Sequence, residues 1–506
     1  MKILGFYLGR HDSNLSFYDE GLKYIKSERQ FQVKHHHASL QWVEQICLDN
    51  NFVPDVIAFS DGNRNELGSC KGDQLYKEIP GFKLLGKNIP TFCLDHHYAH
   101  MLSAWPMQNT SEIEYGISID GRGDNGRRVT IIRDPGKENP NIVYQSTEHA
   151  YCSFLNQIGR RMGLKGKHID HAGKIMGAQA YGKIDDQFIS HYAKSNIYTD
   201  LSQLFKSIEW NGVVPDKKQS FYDFEIPSFR DWLSTVHALM ESLIIRLFKE
   251  HIPPNSKTVY AGGAAQNTVI NNKLFKLYHN LIIPPHAYDG GLSLGCLEFV
   301  RLKFGMDKLN VSGFPFWQSD EHGGIAELPT IQKVAQLIDQ GKIVGWFQGN
   351  GAIGPRALGH RSILLDPRRI DGKDLINKRI KRREHWRPYA ASLLQSYSEE
   401  VFNEQLISPY MLRALEIKRV VQASIPAVVH EDGTCRPQTV NEQDHELNSY
   451  TRLLSCFSEL SGMPILLNTS LNINGKPIVA TKEQALQLFK SSALDALCIG
   501  NELFLK

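Results

Sequence analysis

A pair of histidines at helical spacing is the strongest chemical signal in the sequence. His96 and His100 lie four residues apart in the run DHHYAH. On a helix, such residues share one face, with Cβ atoms about 5–6 Å apart. Two imidazoles placed in this way can bind one metal ion when carboxylates or water complete the ligand shell. Asp95 suits the N-cap of that helix, because its carboxylate can accept from free backbone N–H groups of the first turn. The alternative interpretation is a pair of hydrogen-bonded core histidines.

Two aspartates at glycine turns are candidates to complete such a metal site. Asp120 ends an apolar segment and opens a Gly-rich turn, and Asp289 stands directly before two glycines. Two His and two Asp would form a mixed nitrogen and oxygen site, suited to iron, manganese or zinc. Taken singly, each aspartate also fits an ordinary Asx turn.

Two further glycine-rich turns could receive anions. Gly262 and Gly263 follow an apolar segment and precede Asn267, where the N-terminus of a helix can bind a negatively charged group. Residues 349–354 match the G-x-G-x-x-G pattern of dinucleotide folds. Three basic or potentially basic residues follow that pattern, beginning with Arg356. Because a dinucleotide turn relies on backbone dipoles and needs no such group, we interpret this turn as part of a site for a more highly charged phosphate.

The C-terminal third of the chain carries further groups that could bind phosphate. The run from Arg368 to Arg387 contains nine Lys or Arg against three acidic residues. Its Lys381 and Arg387, and Arg436 further along, could make charge-assisted bonds to phosphate oxygens. Asn468 and Ser470 end an apolar segment and could orient a small amide or carbamate group. The alternative for the basic run is a solvated helix face.

The elements that must position these residues alternate between strand and helix. We predict an N-terminal β-hairpin from Lys2–Leu8 and Leu15–Tyr18, and helices over Ser234–Lys249 and Thr330–Gln340. The predicted strands are Val56–Ser60, Glu114–Ile119, Thr258–Ala261 and Lys342–Phe347. This alternation indicates an α/β protein. A segment without periodicity, residues 309–328, is predicted to link a domain of residues 1–308 to one of residues 329–506.

Length and composition exclude several classes of protein. The chain has 506 residues and a net charge of +3, so its overall charge gives no reason to expect a nucleic acid partner. No apolar run reaches the roughly 18 residues of a membrane span, and the first residues are unlike a secretory signal. None of the eight cysteines forms a C-x-x-C pair, which indicates reduced, mostly buried thiols. We therefore expect a cytoplasmic location and no membrane partner.

The motifs taken together resemble a known family, the ATP-dependent O-carbamoyltransferases of the nodulation and cephalosporin (NodU/CmcH) type. That family includes enzymes that carbamoylate aminoglycosides and ansamycins. The resemblance covers essentially the whole chain, and the order of the motifs makes it highly specific. The motifs are LGRHDS, DHHYAH, DGRGDNG, KIMGAQAYG, GGAAQN, YDGG, GPRALGHRSIL, INKRIKRREHWRP, HEDGTCRPQTV and LLNTSLNINGKPIV.

The resemblance implies a fold and a two-step reaction. The N-terminal domain is expected to be of the actin-like ATPase type (Kae1-like), and the C-terminal domain to be YrdC-like. In the family, the C-terminal domain forms carbamoyl adenylate from carbamoyl phosphate and ATP, which acts as Mg-ATP. The N-terminal domain then passes the carbamoyl group to a hydroxyl of a small natural product, with Fe(II) as the expected metal. The acceptor is not identified, and the oligomeric state stays open, although dimers are common in the family.

The resemblance also implies which residues form the sites. The expected metal ligands are His96, His100, Asp120 and Asp289. The expected carbamoyl phosphate and ATP contacts are Arg356, Lys381, Arg387, Arg436, Asn468 and Ser470. His11, Asp12 and Lys34 are the expected catalytic residues near the acceptor, where His11 or Asp12 could take the hydroxyl proton. Gly262, Gly263 and Asn267 are the expected nucleotide contacts of the N-terminal domain.

One departure from the family pattern keeps other functions open. Ala352 stands where relatives often carry an acid, which would also fit a non-catalytic relative that senses nucleotide or metal. A second alternative is a tRNA-modifying enzyme of the threonylcarbamoyl-adenosine type, since both expected domain types occur there. The near-neutral net charge argues against this alternative, because RNA binding depends on phosphate neutralisation.

Overall fold

The computed structural model describes residues 1–62 and 67–506. Its strands are β1 Ile3–Leu8, β2 Asn14–Asp19, β3 Gly21–Lys26, β4 Val56–Asp61, β5 Tyr76–Glu78, β6 Lys83–Leu84, β7 Lys87–Asn88, β8 Thr91–Leu94, β9 Tyr115–Ile119, β10 Val129–Arg133, β11 Asn141–Ser146, β12 Thr258–Ala261, β13 Leu281–Ile282, β14 Val344–Phe347, β15 Arg361–Leu365, β16 Ala390–Leu394, β17 Leu415–Glu416, β18 Thr434–Val440, β19 Ile465–Ser470, β20 Ala496–Ile499 and β21 Glu502–Leu505. Its α-helices are α1 Ser27–Phe31, α2 Leu40–Asp49, α3 His96–Leu102, α4 Tyr151–Arg161, α5 His171–Ala178, α6 Asp186–Tyr192, α7 Gln203–Lys206, α8 Pro227–His251, α9 Thr268–Leu277, α10 Leu292–Lys303, α11 Leu328–Asp339, α12 Gly372–Ile376, α13 Ser398–Val401, α14 Arg419–Gln422, α15 Asn448–Ser461 and α16 Lys482–Ser491.

The chain divides into two compact units, and the α/β class is confirmed in both. Unit 1 comprises Met1–Arg10, Asn14–Asp19 and Ala38–Leu309. Unit 2 comprises Asn310–Lys506 and two short stretches from near the N-terminus, His11–Ser13 and Glu20–His37. The C-terminal part of the chain therefore folds together with residues that the sequence places almost 300 positions earlier.

The described residues of unit 1 form two larger sheets and the two-stranded sheet β6-β7. In the first, the strand order is β2-β1-β4-β8-β5, with β1, β4 and β8 parallel. The predicted N-terminal hairpin is confirmed, because β1 and β2 pair in antiparallel register with Ile3 opposite Tyr18. The second sheet has the order β11-β10-β9-β12-β13, and β9 runs parallel to β12. The carboxyl ends of β9 and β12 therefore lie at the same edge of this sheet, where ligands commonly bind in α/β folds.

Unit 2 is built on one eight-stranded mixed sheet with the order β17-β18-β16-β19-β15-β14-β20-β21. Both of its faces are buried. Along β15, Ile363 and Leu365 belong to one hydrophobic cluster and Leu364 to another, as the period of two in a strand requires. Helices α11 and α15 pack on each other and contribute Ile331 and Leu453 to the cluster that contains Leu364.

The predicted elements are present, with shifts at their ends. The strand predicted at Thr258–Ala261 matches β12. The helix predicted at Ser234–Lys249 starts earlier, at Pro227, because proline suits the first helical turn. Seven of the eight free cysteines are buried, as expected. Within residues 1–62 and 67–506, no helix is both long enough and apolar enough to cross a bilayer.

Candidate metal centre and anion site

Helix α3 presents the two predicted metal ligands. Asp95 is its N-cap and accepts from the backbone N–H groups of His97 and Tyr98, at 3.0 and 3.1 Å. This bonding confirms the predicted cap and fixes where the helix begins, directly after β8. His96 and His100 then project from one face of α3, with ring centroids 4.8 Å apart.

Two aspartates from distant turns meet these imidazoles. The Nε2 atoms of His96 and His100 lie 3.0 and 3.1 Å from Asp120 Oδ2. Both nitrogens also lie 3.5 Å from Asp289 Oδ1. One ligand atom from each of the four residues falls within 4.8 Å of all the others, and all four residues are buried. The structure therefore brings the four predicted ligands together in unit 1.

The electrostatics of this cluster favour a bound cation. Burial acts to lower the pKa of His96, but Asp289 and Asp120 outweigh it and hold that pKa well above its usual value. The pKa of His100 is also raised, because its bonds to the two carboxylates outweigh burial. Burial alone would raise the pKa of Asp120, yet its bonds to His100 and His96 lower it. Two buried carboxylates facing two imidazoles thus offer a site for positive charge.

The donor set fits a divalent transition metal. Imidazole nitrogens and carboxylate oxygens together suit iron, manganese or zinc. Metal–ligand bonds of about 2.0–2.2 Å would place one ion among atoms that lie within 4.8 Å of one another. Two carboxylates would also balance the charge of a divalent ion. The four residues therefore form a cluster that could bind a metal.

Surrounding groups hold the carboxylates in place. Asp120 Oδ1 accepts from the backbone N–H of Gly263 at 3.2 Å. The side-chain amide of Asn14 donates to the Asp289 carbonyl at 2.9 Å, and the Tyr7 hydroxyl donates to Asp289 Oδ2 at 2.7 Å. Asn14 and Tyr7 were not among the predicted site residues, because no local pattern marks a residue that acts across about 280 positions of sequence.

The loop predicted to bind a nucleotide, residues 262–267, contacts the metal cluster through Gly263 and caps α9 through Asn267. Gly262 has φ 90°, and a Cβ there would collide with the backbone of Ile119, so only glycine fits. Asn267 caps α9 by accepting from the N–H groups of Val269 and Ile270. Its side-chain amide also lies 3.0 Å from His237 Nε2. The nucleotide-binding role of Gly262, Gly263 and Asn267 stays a prediction.

The predicted catalytic residues His11 and Asp12 lie in unit 2 with an unpredicted partner. Asp12 is buried, and its carboxylate lies 3.0 Å from Nδ1 of His11 and 3.0 Å from Nδ1 of His35. Burial acts to raise the pKa of Asp12, but His35 and His11 hold it well below its usual value. Lys34 is half-buried next to His35. His35 is the first of three consecutive histidines and was not among the predicted site residues.

Backbone strain accompanies this histidine–aspartate cluster. Asp12 and His35 have φ of 60° and 54°, values that non-glycine residues rarely adopt. The backbone N–H of His35 donates to Glu28 Oε2 at 3.1 Å, and Lys26 bonds the other oxygen of Glu28 at 2.8 Å. Strained residues that are held by several contacts are typical of functional sites.

Cations converge on one part of unit 2. Burial first, then Arg356 and Arg387, lowers the pKa of Arg436 well below its usual value. Burial and Arg387 lower the pKa of Arg383 to about 10. Burial, Arg383 and Arg387 likewise lower the pKa of Lys381. These five side chains form the cation cluster. Arg383 was not predicted individually, although it belongs to the basic run.

Strand pairing brings the two predicted polar residues to the cation cluster. Across the sheet, Ala390 pairs with Arg436 on one side and with Asn468 on the other, so both side chains share one face. Asn468 is buried, and its Oδ1 has no hydrogen-bond partner among the described residues. The Lys381 ammonium donates to the Ser470 carbonyl and, at 2.7 Å, to Asn472 Oδ1. The six predicted carbamoyl phosphate and ATP residues thus lie together.

Ala352, which departs from the family pattern, is part of the hydrophobic core. Ala352 is 3% exposed and belongs to the hydrophobic cluster that contains Trp346, Leu358 and Tyr450. An acidic side chain at this place would lie among apolar neighbours. Ala352 thus contributes to packing in this chain, and the effect of the missing acid on the reaction stays a prediction.

Comparison with known proteins identifies the family. The family model for the carbamoyltransferase N-terminus matches residues 7–297, and the model for the carbamoyltransferase C-terminus matches residues 335–506. Together they cover most of the chain, including the metal cluster, the histidine–aspartate cluster and the cation cluster. The chain belongs to the carbamoyltransferase family.

Similar curated proteins come from bacteria and an archaeon. Nodulation protein NolNO of Sinorhizobium fredii is 29% identical over 82% of this chain, which spans 64% of that protein. Nodulation protein NolO of Bradyrhizobium diazoefficiens is 29% identical over 80% of this chain and 78% of its own length. An uncharacterised protein of Methanocaldococcus jannaschii is 28% identical over 100% of this chain and 99% of its own length.

Solved structures show only distant similarity. Component A of (R)-2-hydroxyglutaryl-CoA dehydratase from Acidaminococcus fermentans is 14% identical, with a TM-score of 0.35 over 59% of this chain and 97% of its own. Full-length HypF in its phosphate- and nucleotide-bound form is 15% identical, with a TM-score of 0.31 over 61% of this chain and 56% of its own. TM-scores this low give no basis for a conclusion about function.

Proposed function

We propose that this carbamoyltransferase is an ATP-dependent O-carbamoyltransferase that works in two steps. Carbamoyl adenylate forms at the cation cluster of unit 2, which we take to be YrdC-like. The carbamoyl group then passes to a hydroxyl of a small natural product, with the His/Asp cluster of unit 1, which we take to be Kae1-like, as the metal site. The observation that carries the proposal is the cation cluster beside Asn468, because a buried lysine and four half-buried arginines that converge suit an anionic ligand.

The first step supplies a leaving group. Carbamate is a poor electrophile, because its nitrogen donates into the carbonyl. Carbamoyl phosphate and water give carbamate and inorganic phosphate; a carbamate oxygen then bonds to the α-phosphorus of ATP as the bond to pyrophosphate breaks. The cation cluster neutralises charge that builds on the departing pyrophosphate. Asn468 Oδ1, which is buried and lacks a partner among the described residues, can accept from the carbamoyl NH₂ group.

The second step needs a base that takes the proton of the acceptor hydroxyl and a cation that binds the phosphate of the adenylate. A hydroxyl has a pKa far above 7, so its proton must be taken as the new C–O bond forms. We assign this proton to His11, whose Nδ1 contacts Asp12 at 3.0 Å and whose side chain is 36% exposed. A divalent metal, Fe(II) by resemblance to the family, would supply Lewis acidity toward the adenylate phosphate. AMP leaves with the electrons of the broken C–O bond.

A coupled assay tests the proposal. Pyrophosphate release from Mg-ATP should require carbamoyl phosphate, and absence of this coupling in metal-loaded protein would contradict the scheme. His96→Ala should lose bound metal and transfer to the acceptor, while pyrophosphate release survives. Equal loss of both steps would exclude separate sites. A mass gain of about 43 Da on a candidate metabolite, the mass of one carbamoyl group replacing a proton, identifies the acceptor.

A tRNA-modifying enzyme of the threonylcarbamoyl-adenosine type is the second candidate. The basic run from Arg368 to Arg387 favours it, and Lys378 on that run is exposed. Lys381 and Ile380 in the same run are buried, so only part of its charge faces solvent. Salt-sensitive tRNA binding, with affinity falling steeply as salt rises, would favour this candidate.

A further inference from the structure

We propose that Tyr7 is a positioning residue that determines which oxygen of Asp289 binds the metal. The inference rests on the proposed metal site and adds to it a residue from the first strand. Tyr7 lies on β1, is 2% exposed and donates its hydroxyl to Asp289 Oδ2 at 2.7 Å. The other oxygen of Asp289, Oδ1, faces the Nε2 atoms of His96 and His100.

The two carboxylates of the metal cluster are held in the same manner. Asp120 uses Oδ1 to accept from the N–H of Gly263 and turns Oδ2 toward the imidazoles. Asp289 uses Oδ2 to accept from Tyr7 and turns Oδ1 toward them. In each carboxylate, one oxygen is engaged by a fixed donor while the other faces the histidines. The donors therefore select one oxygen from each carboxylate for the metal.

The surroundings of Tyr7 are shaped to hold its hydroxyl at this place. A Cβ at either Gly9 or Gly62 would collide with the phenol oxygen, so both positions leave room for it. The Tyr7 ring also packs edge-on against His96, with centroids 5.7 Å apart. On the other side, Asn14 donates to the Asp289 carbonyl at 2.9 Å. The carboxylate is thus fixed through its side chain and through its backbone.

Outer hydrogen-bond partners of this type tune metal sites. Removing one typically lowers metal affinity by 10- to 100-fold. Without the Tyr7 hydroxyl, Asp289 Oδ2 loses the donor that turns it away from the histidines. The carboxylate can then rotate or offer both oxygens, which changes the coordination of the bound ion as well as its affinity.

The test compares Tyr7→Phe with Tyr98→Phe. Tyr98 is a matched control, since it is 4% exposed, lies on α3 beside the ligands, and donates its hydroxyl to the Pro135 carbonyl at 3.0 Å. Affinity for Co(II) is measured by titration, and coordination is read from the visible absorption spectrum of the bound Co(II). We expect roughly 10-fold or greater weakening and a changed spectrum for Tyr7→Phe, and wild-type behaviour for Tyr98→Phe.

The possible outcomes separate the inference from the proposed function. Wild-type affinity and spectrum in a folded Tyr7→Phe protein would overturn the inference while leaving the metal site intact. Failure of the wild-type protein to bind Co(II), Fe(II), Mn(II) or Zn(II) would overturn the metal site itself. Gly9→Ala provides a second variant, because its methyl group displaces the phenol without removing it. It should change the Co(II) spectrum in the same direction, and an unchanged spectrum would count against the inference.

Discussion

His35 Nδ1 lies 3.0 Å from Asp12 Oδ2, the same oxygen that lies 3.0 Å from His11 Nδ1. One buried carboxylate therefore holds two imidazoles. His11 is the more exposed of the two, with 36% of its side chain accessible against 15% for His35. This difference suits His11 to meet a substrate and His35 to keep Asp12 in place.

The role of His35 can be tested by replacing its ring with groups that do or do not donate. In His35→Ala, Asp12 loses a hydrogen bond from a polar side chain, a contact worth about 1.5–3 kcal/mol for a charged acceptor. We expect transfer to fall by roughly 10- to 100-fold relative to pyrophosphate release. His35→Asn keeps a donor near the place of Nδ1 and should recover part of the loss. Equal rates in the two variants would contradict a positioning role.

Lys381 gives a prediction about pH. Burial, with Arg383 and Arg387 nearby, lowers its pKa below the usual value, which is about 10.4. The charged ammonium favours a bound anion, so affinity for inorganic phosphate should be full below the lowered pKa and fall as pH rises through it. Calorimetric titration with phosphate at a series of pH values, from acidic to alkaline, measures this loss.

A substitution tests whether the pH dependence of phosphate binding comes from Lys381 or from another titrating group. Lys381→Met removes the titrating ammonium, so we expect weaker phosphate binding that no longer shows this loss of affinity with rising pH. Arg383→Met, a neighbour from the same cluster, should weaken binding but keep the pH dependence. Persistence of the same loss of affinity in Lys381→Met would assign it to another residue.

Metal binding should stabilise the folded protein. A ligand that binds only the folded state adds about 2.7 kcal/mol to the free energy of unfolding at one hundred times its dissociation constant. Addition of Mn(II) or Zn(II) to chelator-treated protein should therefore raise the melting temperature, and His100→Ala should abolish the rise. His191→Ala, at an exposed histidine of α6, should retain it. A rise that survives in His100→Ala would place the metal elsewhere.

Ala352 provides a test of the non-catalytic alternative. Because Ala352 is buried in a hydrophobic cluster, Ala352→Glu would place an acid in that cluster, at a cost of about 3 kcal/mol or more. We expect a lower free energy of unfolding by chemical denaturation and no gain in pyrophosphate release. Ala352→Val tests packing alone at the same position. A stable Ala352→Glu protein with increased release would show that the missing acid matters for the reaction.

The ligands of the metal cluster could be predicted in two different ways. His96 and His100 follow from helix geometry, because a spacing of four residues places side chains on one face. Asp120 and Asp289 each sit at a glycine turn that also fits an Asx turn, and only the ordered motifs single them out. Tyr7 could not be predicted, because its role depends on β1 lying beside a turn 282 residues away.

The cation cluster was predicted only in part, for a reason of local geometry. The basic run shows many charges but not which of them are buried. A turn of π-helix over Asn377–Lys381 shifts the helical phase, and Arg382 follows with φ 47°. A period of 3.6 residues therefore fails to predict that Lys381 faces inward. Turns of this kind are common at functional sites.

The contribution of His11–Ser13 and Glu20–His37 to unit 2 has a consequence for biosynthesis. The ribosome makes these residues before it makes the eight-stranded sheet of unit 2. Closing a loop of this length costs conformational entropy, and contacts between such distant residues slow folding. Unit 2 therefore cannot be completed until its last strand, Glu502–Leu505, has been made, whereas nearly all of unit 1 has been made by Leu309. The segment with Asp12 and His35 is therefore ordered late, and a chain that lacks the strands of unit 2 has no assembled histidine–aspartate cluster.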